Sequence, residues 1–418
     1  MIEVKTLDCG IKIVTEEIPH VQSISIGFFV KAGACNEIEK YAGVSHFIEH
    51  MMFKGTGKRT AKEIAEDADK IAGNINAYTS KENTCYYIKT LSSNAEKAIE
   101  ILLDMFLNST YDAREMTRER EVIFEEMNMA LDTPDDLAYE AAISSLFKGT
   151  PLANSIIGTK KSLRNVSKAV LVDYINKQYT KDSIVIAVAG NFDKEHIYRL
   201  FEESKLIELP EAKTPLKFDI LPHNPAYTVK VKDIEQSHIL MATRSLALED
   251  DDFYALSLLN NIMGGSMSSR LFQNVREQKG LAYSVYSMLS SHTEMGAYCI
   301  YAGVGHNKIK EAIVAIKEEL QKLKEEGVTE EELSKAKEQL KAGYIYGQEN
   351  VNHRMFSIGK NMLLLNKIYT AEQVIEEIDN VTLDDVKRVS ALIHDIEKYS
   401  CALVTNKRVD LKKYILGK

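Results

Sequence analysis

The chain opens on MIEVKTLDCGIKIVTEEIP, where apolar and polar residues alternate as in a pair of β-strands. Strand-like runs recur in SISIGFFVKAG and, past the midpoint, in YTVKVKDIEQSHILMATRSL. Apolar positions spaced at the helical period predict helices over roughly 60–72, 94–108 and 113–131, and later over 308–325 and 330–345. Strand-like segments return at 84–90 and 297–303. Strands interleaved with helices, without the regular spacing of βαβ units, predict an α+β architecture.

A repeat divides the chain. NVSKAVLVDYINKQYTKDSIVIAVAGN runs from Asn165 to Asn191, and NVTLDDVKRVSALIHDIEKYSCALVTN from Asn380 to Asn406, so both ends are offset by 215 residues. Each copy starts Asn-Val-Ser/Thr, a helix-capping signal, and continues as a helical segment followed by an apolar strand. Four of the seven prolines, Pro210, Pro215, Pro222 and Pro225, fall at the midpoint, where proline can neither continue a helix nor donate to a sheet. The expected organisation is a first domain over 1–209, a linker over 210–226 and a second, homologous domain over 227–418. Each is expected to be a mainly antiparallel sheet packed with helices.

Composition narrows the function. With 418 residues the chain is too long for one ordinary core, which agrees with two domains. A net charge of −9, with no dense Lys/Arg block, argues against a nucleic-acid partner. The five cysteines are scattered and show no C-x-x-C pair, which points away from disulfides and cysteine-ligated zinc and towards a reducing compartment. The N-terminus has neither a secretory pattern nor an Arg-rich presequence, and no apolar run approaches the roughly 18 residues that span a bilayer. A cytoplasmic protein without a membrane partner is expected.

The chemistry is concentrated in AGVSHFIEHMMFKGT, residues 42–56, which holds two of only ten histidines. On a helix turning about 100° per residue, with His46 at 0°, His50 lies near 40° and Glu49 near 300°. Val44, Phe47, Ile48, Met51 and Met52 fall on the opposite face. Two imidazoles at i and i+4 reach one metal ion from the same side, and Glu49 stands beside them without having to bind it. Zinc with three protein ligands and one open position lowers the pKa of bound water towards about 7, and a neighbouring carboxylate can take up the proton. A solvated helix face carrying two histidines by accident is the alternative, so a third ligand is needed. REMTREREVIFEEMNMALDTPDD supplies acids on a long helix; Glu119 and Glu126 share one stripe but lie about 10.5 Å apart, too far to bind one ion together.

These residues resemble the inverzincin metallopeptidases, the family of pitrilysin, insulysin and the mitochondrial processing peptidase, and among them the short bacterial processing-protease type. The family pattern is H-x-x-E-H followed about 76 residues on by a glutamate in a context like EREVIFEEM, and here Glu126 stands 76 residues after His50. The resemblance implies that His46, His50 and Glu126 hold one Zn2+ per chain, that Glu49 is the base, and that Glu119 is a supporting acid beside the site. It further implies that GNINAYTSKENTCYY is an active-site edge strand to which substrate adds, with Asn76 and Ala77 forming part of the groove. In GGSMSSRLFQNVREQKGLAYSVYS it assigns Arg276 and Tyr283 to substrate binding and catalysis; without it, a surface salt bridge and a strand position would be the readings. The offset of 215 carries Glu49 to about residue 264, in LLNNIMGGS, which has no H-x-x-E-H, so the second half is expected to be a non-catalytic copy.

GTGKRT, residues 55–60, lacks the first glycine and the final Ser/Thr of a phosphate loop, and LEDDDF fits a helix start better than a metal site. The expected function is a zinc-dependent endopeptidase acting on peptides or unfolded, extended polypeptide inside a chamber. The alternative is a non-catalytic scaffold or partner subunit, which retention of all four motif residues disfavours. Longer relatives close a chamber with four such domains in one polypeptide, so the resemblance implies a homodimer here.

Overall fold

The computed structural model describes residues 2–211 and 221–417. The chain is α+β with two sheets, and its contacts divide it into two compact units.

The first unit is built on a six-stranded sheet of β1 (Ile2–Thr6), β2 (Lys12–Glu17), β3 (Ser23–Val30), β4 (Asn74–Thr79), β5 (Thr84–Leu91) and β6 (Ile184–Gly190), in the order β1-β2-β6-β3-β5-β4. Only β2 and β6 pair in parallel; β4 is joined to β5 by a hairpin and forms one edge of the sheet. The central strands β3 and β6 are buried nearly throughout, so each presents apolar residues on both faces. On β3, Ile24, Ile26, Phe28 and Val30 join the main core, where Phe28 meets Phe106 of helix Ala95–Asn108 and Phe201 of helix Lys194–Glu202. Successive side chains alternate across a strand, so Ser25, Gly27 and Phe29 face the other way.

That other face is covered by a helix from far along the chain, Val351–Leu365, which packs on β2, β3 and β6. The approach is close. A Cβ on Gly27 would lie 2.6 Å from Met355 Sδ, and one on Gly359 would lie 2.3 Å from the Phe29 ring. Ser25 Oγ donates to Asn352 Oδ1 at 2.5 Å, and Arg354 makes a two-point ion pair with the buried Glu16.

The second unit has a five-stranded sheet of β7 (Tyr227–Val231), β8 (Ser237–Ser245), β9 (Ala282–Ser291), β10 (Gly296–Val304) and β11 (Ser400–Thr405), in the order β7-β11-β8-β10-β9. Here too one pair is parallel, β7 with β11, and the others are antiparallel. The repeat has a structural counterpart: helices Lys168–Gln178 and Leu383–Ile393 are offset by 215 at both ends. The Ser167 and Thr382 hydroxyls cap them by accepting from Val170 N–H and Asp385 N–H. β6 and β11, which follow these helices, hold equivalent places, each parallel to one neighbour and antiparallel to the other.

The expected division at 209 and 227 follows chain order but not the compact units. The first unit takes in Tyr346–Thr370 from the second half, and the second takes in Asn128–Ala153 from the first. Helix Pro134–Leu146 packs on β8 and β11 with Ala138, Ala142, Ile143 and Leu146 buried, as Val351–Leu365 packs on the first sheet. In the first unit, the second apolar face of the sheet is closed by a helix that the contiguous half does not supply. Of the expected linker, 212–220 lies outside the described residues, and its described remainder has neither helix nor strand. Among the described residues, no helix is long and apolar enough to cross a membrane.

Candidate metal centre

H-x-x-E-H lies on helix Val44–Met52. Val44, Phe47, Ile48, Met51 and Met52 are buried in the main core and fix the rotation of this helix. Its start is unusual. Gly43 has φ +91°, and a Cβ there would lie 2.7 Å from Ile157 O, so the position takes glycine on both counts. No side chain at Gly43 can cap the helix; the buried Glu37 carboxylate does so instead, accepting from Gly43 N–H at 2.6 Å and Ser45 N–H at 2.7 Å. Burial pushes the Glu37 carboxyl up to about 7, against the lowering effect of those amides and of Lys81. Ser45 and Tyr174 hydroxyls meet at 2.8 Å and tie the same turn to helix Lys168–Gln178.

Helix Ala113–Asp132 brings the acids. Glu126 Oε2 lies 3.5 Å from His50 Nε2 and 3.9 Å from His46 Nε2. One donor atom from each of His46, His50 and Glu126 can be chosen so that all three lie within 4.8 Å of one another, among the described residues the one such group of His, Cys, Asp and Glu. Glu119, two turns earlier, is buried and accepts from His50 Nδ1 at 3.1 Å, while its other oxygen pairs with Lys54 Nζ at 2.7 Å. With Nδ1 donating to Glu119, the lone pair of His50 sits on Nε2, the nitrogen facing Glu126. Burial, helped by the neighbouring His50, lowers His46 to about 4, so its imidazole is uncharged at neutral pH. Two imidazole nitrogens and a carboxylate oxygen converging at these distances are a donor set suited to zinc.

Glu49 lies beside the cluster and outside it. Burial raises its carboxyl above the ordinary glutamate value, a Thr79 hydrogen bond and His50 oppose the rise, and Glu126 adds to it. The Thr79 hydroxyl donates to Glu49 Oε2. On β4, Asn76 is exposed and Ala77 half-buried. Arg276 and Tyr283 lie together in the second unit: the guanidinium is 4.6 Å from the Phe272 ring centre and 5.7 Å from that of Tyr283, whose side chain is 76 % exposed. GTGKRT is a structural loop in which Arg59 is bound by Asp67, Glu100 and Asp104 and Thr60 caps helix Ala61–Lys70.

Sequence reasoning missed Glu37, Lys54 and Thr79. Glu37 sits in an ordinary polar stretch, and only the fold buries it. Thr79 stands in the edge-strand segment, where a hydroxyl aimed at Glu49 has no sequence signal beyond the strand itself.

Comparison with known proteins identifies the family. Residues 12–160 match the insulinase family, Peptidase family M16, and 165–340 match the Peptidase M16 inactive domain. A Bacillus subtilis protein named "uncharacterized zinc protease YmxG" is 40 % identical over 407 residues, covering 97 % of this chain and 98 % of its own. A Mycobacterium leprae protein named "uncharacterized zinc protease ML0855" is 36 % identical over 405 residues, 96 % of this chain and 90 % of its own. Two solved structures share the fold. A protease from Helicobacter pylori has a TM-score of 0.89 at 22 % identity, covering 97 % of this chain and 99 % of that one. A Pseudomonas fluorescens structure described as a peptidase M16 inactive domain has a TM-score of 0.91 at 18 % identity, covering 98 % of each. The chain belongs to the insulinase family of peptidases, Peptidase family M16.

Proposed function

We propose that the protein is a zinc-dependent endopeptidase that hydrolyses peptides or extended, unfolded segments of polypeptide. The observation that carries the reading is the convergence of His46, His50 and Glu126 beside a half-buried Glu49, in a chain whose relatives are named zinc proteases.

His46, His50 and Glu126 hold one zinc ion per chain. Zinc in such a site supplies Lewis acidity and a water molecule made more acidic. Glu119 fixes the His50 ring through Nδ1, and Lys54 fixes Glu119. Glu49 accepts a proton from the attacking water and delivers it to the leaving amine; desolvation, by raising its proton affinity, favours the uptake. The substrate adds as a strand along the β4 edge beside Asn76 and Ala77, which favours extended chains over folded proteins. By family resemblance Arg276 and Tyr283 act on the bound peptide, Tyr283 through its hydroxyl. A cytoplasmic homodimer enclosing a chamber completes the reading.

The test is cleavage of a panel of quenched peptides by purified protein, with zinc and with a chelator, alongside light scattering. Chelator-sensitive internal cleavage by a particle of twice the 47.1 kDa chain mass is expected. No cleavage of any peptide by zinc-loaded protein would favour a scaffold, and an active particle of single-chain mass would remove the dimer.

A further inference from the structure

The half-buried carboxylate of Glu49 has one hydrogen-bond donor among the described residues, the hydroxyl of Thr79. That hydroxyl is held firmly. Thr79 is the last residue of β4, paired with Thr84 across the hairpin to β5. The turn between them is locked from several sides. Ser80 N–H donates to Asn83 O at 2.8 Å, Ser80 Oγ to Asn83 Oδ1 at 2.8 Å, and the Asn83 amide to Tyr78 OH at 3.2 Å. From outside, Ala34 N–H and Cys35 N–H donate to Ser80 O at 3.2 Å and Lys81 O at 2.8 Å. Threonine is β-branched and stiff about χ1, so a fixed backbone fixes its oxygen.

A carboxylate that moves a proton needs one oxygen directed at the reacting atoms, and its two oxygens turn about a broad, two-fold torsion. In a half-buried setting, a single donor on Oε2 occupies that oxygen and leaves Oε1 to receive the proton. Helix Val44–Met52 packs against β4, and this hydrogen bond joins the two elements.

We propose that Thr79 is a positioning residue for the reaction: its hydroxyl holds the Glu49 carboxylate in the orientation that exchanges protons with water and leaving group. The inference rests on the endopeptidase reading, with Glu49 as the base. It also places the holder of the base on the strand whose free edge is assigned to the substrate.

The experiment compares wild type with Thr79→Val, which keeps the shape and removes the hydroxyl, and Thr79→Ser, which keeps the hydroxyl. Zinc per chain, melting temperature, kcat and KM are measured for each on one cleaved peptide. Thr79→Val is expected to keep its zinc and melting temperature, hold KM within about two-fold and lose about 10- to 100-fold in kcat, the worth of a hydrogen bond to a charged group. Thr79→Ser is expected to restore most of the rate. Wild-type kcat in Thr79→Val, an equal loss in both variants, or a loss confined to KM overturns the proposal. So does loss of zinc or of thermal stability in Thr79→Val, which would make the hydroxyl a support of the fold. Failure of zinc-loaded wild type to cleave any peptide sinks the endopeptidase reading itself, and the role of Thr79 with it.

Discussion

Replacing Glu37 by glutamine should change how the stability of this protein depends on pH. The Glu37 carboxyl is buried, caps helix Val44–Met52 through Gly43 N–H and Ser45 N–H, and is pushed up from 4.5 to about 7. A carboxyl with a raised pKa binds its proton more tightly folded than unfolded. Its contribution to stability is therefore full below about pH 4.5 and is lost as pH rises through about 7. At about 1.36 kcal/mol per pKa unit, the complete loss is on the order of 3 kcal/mol, of which roughly 2.5 kcal/mol falls between pH 5 and pH 8. Glu37→Gln keeps an oxygen acceptor for the helix terminus and has nothing to titrate. Denaturant unfolding of both proteins at pH 5 and pH 8, in chelator so that metal binding adds no pH dependence, isolates the difference. Wild type should lose about 2.5 kcal/mol more than the variant between the two pH values. An identical pH dependence would refute the reasoning and mean that Glu37 is not buried as a capping acid.

Other expectations concern the cluster and the packing. His46→Ala, His50→Ala and Glu126→Ala should each release zinc, while Glu125→Ala, exposed and about 100° around the same helix, should retain it. Metal analysis decides this, and the reverse result for the two glutamates would reassign the third ligand. Gly359→Ala would place a Cβ against the Phe29 ring and should cost about 1–3 kcal/mol in unfolding measurements. Wild-type stability in that variant would mean that helix Val351–Leu365 does not press on β3 so closely.

Much of this fold is legible in the sequence, because its period is local. The helices at Ala61–Lys70, Ala95–Asn108, Ala113–Asp132, Ile309–Glu326 and Glu330–Gln348 lie within a few residues of where apolar spacing puts them. The repeat offset locates equivalent helices and strands because capping residues and strand runs are local too. The motif helix buries the face opposite His46, Glu49 and His50, as a turn of 100° per residue requires. Exchange of helices between the compact units is not legible. An apolar stripe on Val351–Leu365 says that the helix packs, not that it packs on β3, and Gly27 and Gly359 look like ordinary glycines until they face Met355 and Phe29. Glu37 and Thr79 are hidden for the same reason: their importance comes from burial and from contacts across 6 and 30 residues of chain.

The proposed mechanism separates holding the metal from moving the proton, and Glu49→Gln divides the two. Zinc per chain and the rate of peptide cleavage should be measured on the same preparations of wild type and variant. Zinc should stay near one per chain in both, because His46, His50 and Glu126 are untouched, while cleavage should fall by about 10²- to 10⁴-fold, the usual contribution of a positioned acid–base group. Cleavage at the wild-type rate by zinc-loaded Glu49→Gln would contradict the assignment of Glu49 as the base.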